Sequence, residues 1–174
     1  DQYLIDGKAP GDKSKDIKNS VETMKKIISK EGLKYIKNLP SLLNMKLDNR
    51  KVLVVHGSPW NYLEERIYPD YLNFSRFLEV KVDVVILGHT HYPFIKKLGK
   101  IIVVNPGSCG QPRDYNLLSY IVWDTENNSF ENRRVRFDID KFKKEALRKG
   151  ADEKLFEVFN RVKKIENFLL IKPL

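Results

Sequence analysis

The alternation of hydrophobic and polar stretches along the chain predicts an α/β fold. Residues 51–56 and 82–87 are short runs rich in valine and leucine, bounded by polar turns, and they predict two buried strands. Residues 12–31 repeat apolar positions every three or four residues, which predicts one amphipathic helix with Gly32 as its C-terminal cap. Residues 70–79 are expected to be helical as well.

The second half of the chain predicts antiparallel strands and then helices. Four strands are expected in two pairs, namely Phe94–Leu98 with Ile101–Val104 and Leu117–Trp123 with Phe130–Phe137. From Asp138 onward the apolar residues follow a helical period that is interrupted at Gly150. We therefore expect one domain over residues 1–137, with residues 138–174 forming a helical extension packed on it.

Composition is typical of a globular protein. The 174 residues suffice for one domain, and 41% hydrophobic with 32% charged residues argues against disorder. No apolar run approaches the roughly 20 residues needed to span a bilayer. The single cysteine, Cys109, excludes an internal disulfide and agrees with a reducing compartment. We expect a cytoplasmic protein without a membrane segment.

The net charge of +9 leaves two interpretations open. The lysines are interleaved with acidic residues along the predicted helices, which is typical of solvated helix faces. The alternative is that the positive charge attracts an anionic substrate. Nucleic acid is not expected as a partner, because the chain has neither zinc-finger spacing nor the aromatic and basic motif of an RNA-binding sheet.

All three histidines follow predicted strands. His56 ends the first buried strand, and His89 and His91 lie in Gly88-His89-Thr90-His91 after the second. Ligands of open α/β sheets gather at the carboxyl ends of strands, where an extended backbone would point His89 and His91 to the same side. They could then bind one metal ion together or serve two adjacent ions. Structural, hydrogen-bonded histidines are the alternative, although two imidazoles in a tight turn are costly without partners.

Other catalytic chemistry has weaker support in the sequence. Ser58 and Ser108 lie in loops without a nucleophile-elbow motif or an evident acid to orient a base. Cys109, in Gly-Ser-Cys-Gly with Arg113 nearby, could act as a thiol nucleophile. A small buried cysteine is the simpler interpretation, because free cysteines are among the most buried residues.

Three motifs together resemble the calcineurin-like metallophosphoesterase superfamily: Leu53–Pro59, Gly88–His91 and Asn105–Ser108. Gly110–Asp114, Arg136–Ile139 and the helical tail are similar to the small prokaryotic phosphoesterases called diadenosine-tetraphosphatase-like or YfcE-like. The resemblance implies the C-terminal half of a four-layer α-β-β-α sandwich. It also implies two divalent metal ions, which could be manganese, nickel, iron or zinc.

The same resemblance implies roles for four residues. His56 and His89 would bind one metal ion and His91 the other, while Arg113 would meet a phosphate oxygen at the mouth of the site. A structural arginine is the alternative for Arg113. The substrate would be a phosphate-ester small molecule or a nucleotide, hydrolysed by a hydroxide that the two metal ions activate. No residue of the chain is assigned as a certain catalytic group.

The sequence departs from the family in its first three motifs, Asp-x-His, Gly-Asp-x-x-Asp and Gly-Asn-His-Asp, none of which occurs here. Asp1 resembles the last residue of the third. We therefore expect a bridging aspartate, an asparagine ligand and a general-acid histidine to precede Asp1, and the chain alone to be weakly active. The alternative is a catalytically inactive binding or scaffold module. The tail could cover a sheet edge or pair two copies in a homodimer.

Overall fold

The computed structural model describes residues 2–7 and 15–160, and the chain forms two compact units, residues 1–40 and residues 41–174. The described part of the first unit is helical, with α1 (Gln2–Ile5), α2 (Lys15–Ile27) and α3 (Lys30–Lys37). Asp1, to which the motif resemblance was assigned, lies outside the described residues. The predicted boundary after residue 137 stays a prediction.

The segment predicted as one helix over residues 12–31 contains the whole of α2 and the start of α3. Helix α2 ends at Ile27, and α3 begins at Lys30. The Ser29 hydroxyl accepts a hydrogen bond from the backbone N–H of Gly32 at 2.9 Å, which caps the N-terminus of α3. The prediction of Gly32 as a C-terminal cap is therefore wrong, since this glycine lies in the first turn of the next helix. Residues 12–14 of the predicted helix lie outside the described residues.

A five-stranded sheet organises the second unit, in the order β1-β2-β3-β5-β4. Its strands are β1 (Leu42–Leu47), β2 (Arg50–Val55), β3 (Val84–Ile86), β4 (Phe94–Leu98) and β5 (Ile101–Asn105). The three central strands are parallel, and the two edge strands run antiparallel to their neighbours. The two buried strands and the β4–β5 hairpin are confirmed, with β2 ending one residue before His56.

The edge strand β1 was not predicted from the sequence. Most of its side chains are exposed, so it lacks the apolar signature of a buried strand. Asp48 and Asn49 join it to β2 with backbone φ angles of 44° and 67°, which are typical of the tight turns of two-residue hairpins. The polar turn recognised at residues 48–50 is thus the connection of a β-hairpin.

Alternate residues of the central strands build two apolar layers. One layer joins Leu53, Val55, Val85 and Val103 to the 3₁₀ helix Phe74–Glu79. This short helix replaces the longer helix predicted over residues 70–79. The opposite layer joins Val52, Val84, Ile102 and Val104 to the hairpin of β6 (Leu118–Asp124) and β7 (Ser129–Val135), through Ile121, Trp123 and Phe130. Two sheets therefore pack face to face, and the α/β fold class is confirmed.

The described part of the tail is helical, as predicted. It comprises α4 (Ile139–Arg148) and a 3₁₀ helix over Glu153–Asn160. Gly150 has a φ of +85° just after α4. Phe137, Phe142, Phe156 and Phe159 contact one another edge to face or at a tilt, which gives the tail an aromatic cluster. Within the ranges that the structure describes, no helix has the length and apolar character to cross a membrane.

Replacing Gly107 with alanine should destabilise the second unit. The residue has a φ of +78°, and an added Cβ would lie 2.9 Å from Pro93 Cδ and would also collide with Ser119 Oγ. We expect a loss of at least about 2 kcal/mol in the free energy of unfolding, measured by urea denaturation. Gly110→Ala is the control, because a Cβ there meets no described atom within 4 Å, and it should cost less than about 0.5 kcal/mol. Equal costs for the two variants would contradict this packing.

Candidate metal centre

The carboxyl ends of three neighbouring parallel strands meet at one edge of the sheet. His56 directly follows β2, the segment Gly88–His91 follows β3, and Asn105 ends β5. The N–H of Gly88 donates to the carbonyl of His56 at 3.0 Å, and the N–H of Leu87 donates to the carbonyl of Val104 at 2.8 Å. The three segments predicted to carry chemistry are therefore hydrogen-bonded to one another.

The side chain of Asn105 forms hydrogen bonds with both the loop after β3 and the loop after β5. Its side chain is fully buried, and Nδ2 donates to the Gly88 carbonyl at 2.7 Å and to Thr90 Oγ1 at 3.1 Å. Its Oδ1 accepts a hydrogen bond from the N–H of Gly107 at 2.9 Å. One amide side chain thus satisfies polar groups of both loops, and in a buried setting such bonds are expensive to remove.

The two neighbouring histidines do not lie on an extended backbone. His89 and His91 have φ angles of 64° and 63°, in the left-handed region that non-glycine residues rarely adopt. The N–H of Thr90, between them, donates to the Gly88 carbonyl at 2.7 Å. The expected same-side placement required an extended backbone, and the structure does not have one here. Strained residues of this kind cluster at functional sites, because the surrounding structure must hold them in place.

His56 and His89 face each other through specific ring nitrogens. His56 Nε2 lies 3.0 Å from His89 Nδ1, and the ring centroids are 4.6 Å apart. Metal–imidazole bonds are about 2.0–2.1 Å long for zinc, so two ligand nitrogens at the tetrahedral angle around one ion lie roughly 3.3 Å apart. In this structure the contact is a hydrogen bond between the two rings, and its length is close to the separation of two nitrogens that bind one divalent ion.

His91 makes a separate contact. Its Nδ1–H donates to the backbone carbonyl of Gln111 at 2.8 Å. A carbonyl partner on one ring nitrogen fixes the tautomer and leaves Nε2 as the acceptor, as is typical of metal-ligating histidines. The contacts thus separate His91 from the His56–His89 pair.

Burial lowers the pKa of each of the three imidazoles. The pKa of His56 and that of His91 are lowered chiefly by removal from water. The pKa of His89 is lowered first by burial and then by the charges of His56 and Arg66. Neutral imidazole is the form that binds metal, so the site holds its histidines ready for a cation.

The described residues supply only part of a two-metal ligand set. Over residues 2–7 and 15–160, no three or more histidine, cysteine, aspartate or glutamate side chains converge as a metal-holding group. His56 and His89 converge as a pair, whereas His91 donates a hydrogen bond to the Gln111 carbonyl. The assignment of the three histidines as metal ligands therefore stays a prediction, supported by the geometry of the pair.

Arg113 and His91 both form hydrogen bonds with Gln111. Arg113 Nη2 donates to Gln111 Oε1 at 3.3 Å, and the positive charge of Arg113 contributes to lowering the pKa of His91. Within the described part of the chain, the buried Nε of Arg113 has no hydrogen-bond partner. The next residue, Asp114, is fully buried and forms a two-point ion pair with Arg134 on β7, which anchors this loop to the second sheet.

The structure corrects the interpretation of Cys109 as a buried residue, because its side chain is exposed. It lies in a loop where the nearby Ser108 hydroxyl accepts hydrogen bonds from the N–H groups of Gly110 and Gln111. These bonds turn the chain sharply around the cysteine.

Sequence reasoning missed Arg66, which contacts the candidate centre. Its Nε–H donates to His89 Nε2 at 3.3 Å, and its charge contributes to lowering the pKa of His89. The two residues are 23 positions apart, and Arg66 belongs to none of the motifs. Only its place in the loop after His56 hints at proximity to the strand end.

Replacing Asn105 with alanine should destabilise the fold by more than about 2 kcal/mol. The change leaves buried polar groups of Gly88, Thr90 and Gly107 without the partners that the amide supplies. Urea denaturation measures the effect. Asn44→Ala, an exposed asparagine on β1, is the control and should cost less than about 0.5 kcal/mol. A cost at Asn105 as small as that at Asn44 would contradict this role of the Asn105 side chain.

Stability of the metal-free protein should fall as the solution is acidified. The pKa values of the three histidines lie below their ordinary value of 6.5 in the folded protein, so the unfolded chain binds protons first. Their contribution is fully present above about pH 7 and is lost as pH falls through the lowered pKa values. Urea denaturation between pH 7.5 and 5 measures this slope. His56→Gln should flatten it, and an unchanged slope in that variant would contradict the assignment.

Comparison with known proteins identifies the family. Residues 12–128 match the family described as the calcineurin-like phosphoesterase superfamily domain. An uncharacterised protein of Methanocaldococcus jannaschii is 32% identical over 157 residues, which cover 76% of this chain and 62% of that protein. A probable metallophosphoesterase of the same organism is 36% identical over 103 residues, covering 57% of this chain and 50% of that protein. The chain thus spans less than two thirds of the length of these relatives.

Solved structures show the same fold. A metallophosphoesterase from Sphaerobacter thermophilus aligns with a TM-score of 0.75 and 21% identity, covering 93% of this chain and 74% of that one. A hypothetical protein from Pyrococcus horikoshii aligns with a TM-score of 0.71 and 21% identity, covering 94% and 66%. The narrower resemblance to YfcE-like enzymes stays a prediction. The family match spans residues 12–128, which include the five-stranded sheet and the three histidines at its strand ends. The chain therefore belongs to the calcineurin-like phosphoesterase superfamily.

Proposed function

We propose that this chain forms part of a metal-dependent phosphoesterase that hydrolyses small phosphate esters or nucleotides. The observation that carries the proposal is the pair of ring nitrogens, His56 Nε2 and His89 Nδ1, which lie 3.0 Å apart. Family membership supports the reaction class, since relatives include a protein named as a phosphodiesterase and proteins named as probable metallophosphoesterases. The reaction of the whole protein is part of the proposal, because the chain spans only part of its relatives.

In this proposal His56 and His89 would hold one divalent ion, and His91 would be a ligand of a second. Divalent ions at such a site lower the pKa of water to generate a nucleophile, and they neutralise charge on phosphoryl oxygens. Manganese, nickel, iron and zinc all accept imidazole ligands, so the donor set does not select one of them. The Gln111 carbonyl keeps the His91 ring in one orientation and tautomer.

Arg113 is proposed to bind a phosphoryl oxygen of the substrate. Its guanidinium lies beside His91, and its buried Nε has no partner within the described residues. A buried donor without a partner is costly, so an anionic ligand that accepts its proton would be favourable. Arg113 would orient the phosphate beside His91.

Three histidines are too few to complete the coordination of two ions. The family motifs that supply a bridging aspartate, an asparagine ligand and a general acid do not occur in these 174 residues. We therefore propose that full activity requires those groups, and that the chain alone hydrolyses bis-p-nitrophenyl phosphate only weakly with manganese. A rate typical of enzymes, about 1 s⁻¹ or faster, would contradict this requirement. Binding without any hydrolysis would favour the alternative of a non-catalytic scaffold module.

Zinc titration of the purified chain should show at least one site that depends on His56 and His89. His56→Gln and His89→Gln should each weaken zinc binding at least tenfold in isothermal titration calorimetry, because loss of even a supporting group commonly costs about 10–100-fold. Cys109→Ser is the matched control, since this exposed thiol lies in a neighbouring loop and could itself bind zinc. The zinc affinity of this variant should stay within about twofold of that of the wild-type chain.

The calorimetric outcomes separate the alternatives. A zinc affinity that falls with Cys109→Ser and not with the histidine variants would contradict the proposed ligands. So would a wild-type chain that binds no zinc. Circular dichroism of each variant checks that a loss of affinity does not come from unfolding.

A further inference from the structure

Six described arginines of the second unit fall into two groups by their partners, while Arg50 and Arg136 belong to neither group. Four are paired with carboxylates: Arg76 with Glu65, Arg133 with Glu131, Arg134 with Asp114 and Arg148 with Glu145. Arg66 and Arg113 contact the histidine cluster instead, Arg66 directly and Arg113 through Gln111. Among the residues that the structure describes, no carboxylate forms an ion pair with either. An unpaired cation beside a candidate phosphate site is a substrate-binding candidate rather than a structural residue.

The position of Arg66 is fixed by its two neighbours in the chain. Glu65 bonds the Ser58 hydroxyl, and its other oxygen accepts hydrogen bonds from Tyr71 and Arg76, both at 3.3 Å. Ile67 is fully buried in the apolar layer beneath the sheet. With residues 65 and 67 both held inward, the side chain of Arg66 projects to the surface next to His89, where it is exposed.

The loop that carries Arg66 is itself tied to the strand end. The N–H of Gly57 donates to the Tyr62 carbonyl at 2.6 Å, and the N–H of Ser58 donates to the Asn61 carbonyl at 3.0 Å. Arg76 stacks over the Trp60 ring, 3.9 Å from its centroid. Gly57 directly follows His56, so these hydrogen bonds connect the loop that carries Arg66 to the end of β2. The loop therefore holds Arg66 close to the candidate centre.

The contact between Arg66 and His89 uses only one part of the guanidinium. Nε donates to His89 Nε2, at a distance of 3.3 Å, which is long for such a bond. The Nη groups of Arg66 have no hydrogen-bond partner among the described residues, and the guanidinium fork matches a phosphate. A neutral imidazole is a weaker partner for a guanidinium than a phosphate oxygen, so an anionic substrate should take over this bond.

We infer that Arg66 is a second substrate-binding arginine, which donates to a phosphoryl oxygen on the His89 side of the centre while Arg113 does so beside His91. The inference rests on the proposed function, because it assigns the substrate of that site. Two arginines and divalent ions favour a doubly charged phosphate group over a singly charged one. Arg66 therefore also contributes to selection of the substrate by charge.

Inorganic phosphate is the probe that tests this role directly. The affinity of the full chain is measured by NMR titration, once without metal and once with stoichiometric zinc, and zinc affinity is measured separately by calorimetry. Arg66→Met should weaken phosphate binding about tenfold to a hundredfold in both conditions, the value of a charge-assisted hydrogen bond. Arg66→Lys, which keeps the charge and loses the fork, should recover part of the loss.

Arg133→Met is the matched control, because it removes one positive charge from the exposed hairpin and should leave phosphate affinity within about twofold. Zinc affinity of Arg66→Met should be equal to that of the wild-type chain or tighter, since a cation next to His89 is removed. If the wild-type chain bound no zinc, the proposed function would fail, while the metal-free titration would still test Arg66.

Three results would overturn the inference. The first is phosphate affinity in Arg66→Met equal to that of the wild-type chain, both with and without zinc. The second is an equal loss of phosphate affinity in Arg133→Met, which would show a general effect of surface charge. The third is failure of the wild-type metal-free protein to bind phosphate at millimolar concentrations.

Discussion

The hydrogen bonds of Asn105 hold together the structure on which the candidate centre depends. This buried side chain joins the turn that carries His89 and His91 to the loop that leads to Gln111 and Arg113. The parallel pairing of β2, β3 and β5 brings these segments to one sheet edge, but strand pairing alone does not set the conformation of the loops. The amide fixes it, by satisfying polar groups that the fold has removed from water.

The conformation of these loops makes the three histidines candidate metal ligands. The left-handed backbone at positions 89 and 91 sends the two rings to different partners, one to His56 and the other to the Gln111 carbonyl. Burial lowers the pKa of all three, which keeps them neutral and able to accept a cation. The strain of the turn and the desolvation of the rings are costs that a bound metal ion would offset.

The sequence predicted the central strands because valine-rich runs with abrupt polar ends have few other structural solutions. It located His56, His89 and His91 at strand ends for the same reason. It could not predict β1, whose side chains are mostly exposed, or the break at Ser29, where a local cap overrides a continuous helical period. Arg66 was missed because its proximity to His89 comes from the anchoring of Glu65 and Ile67, and no residue pattern encodes that tertiary contact.

The central claim is that His56 and His89 hold one divalent ion between Nε2 and Nδ1. A crystal of the chain grown with zinc, with anomalous diffraction recorded on both sides of the zinc absorption edge, tests it most directly. We expect an anomalous peak about 2.0–2.1 Å from both nitrogens, with His91 still donating to the Gln111 carbonyl. A zinc peak elsewhere on the chain, with His56 and His89 still hydrogen-bonded to each other, would contradict the claim.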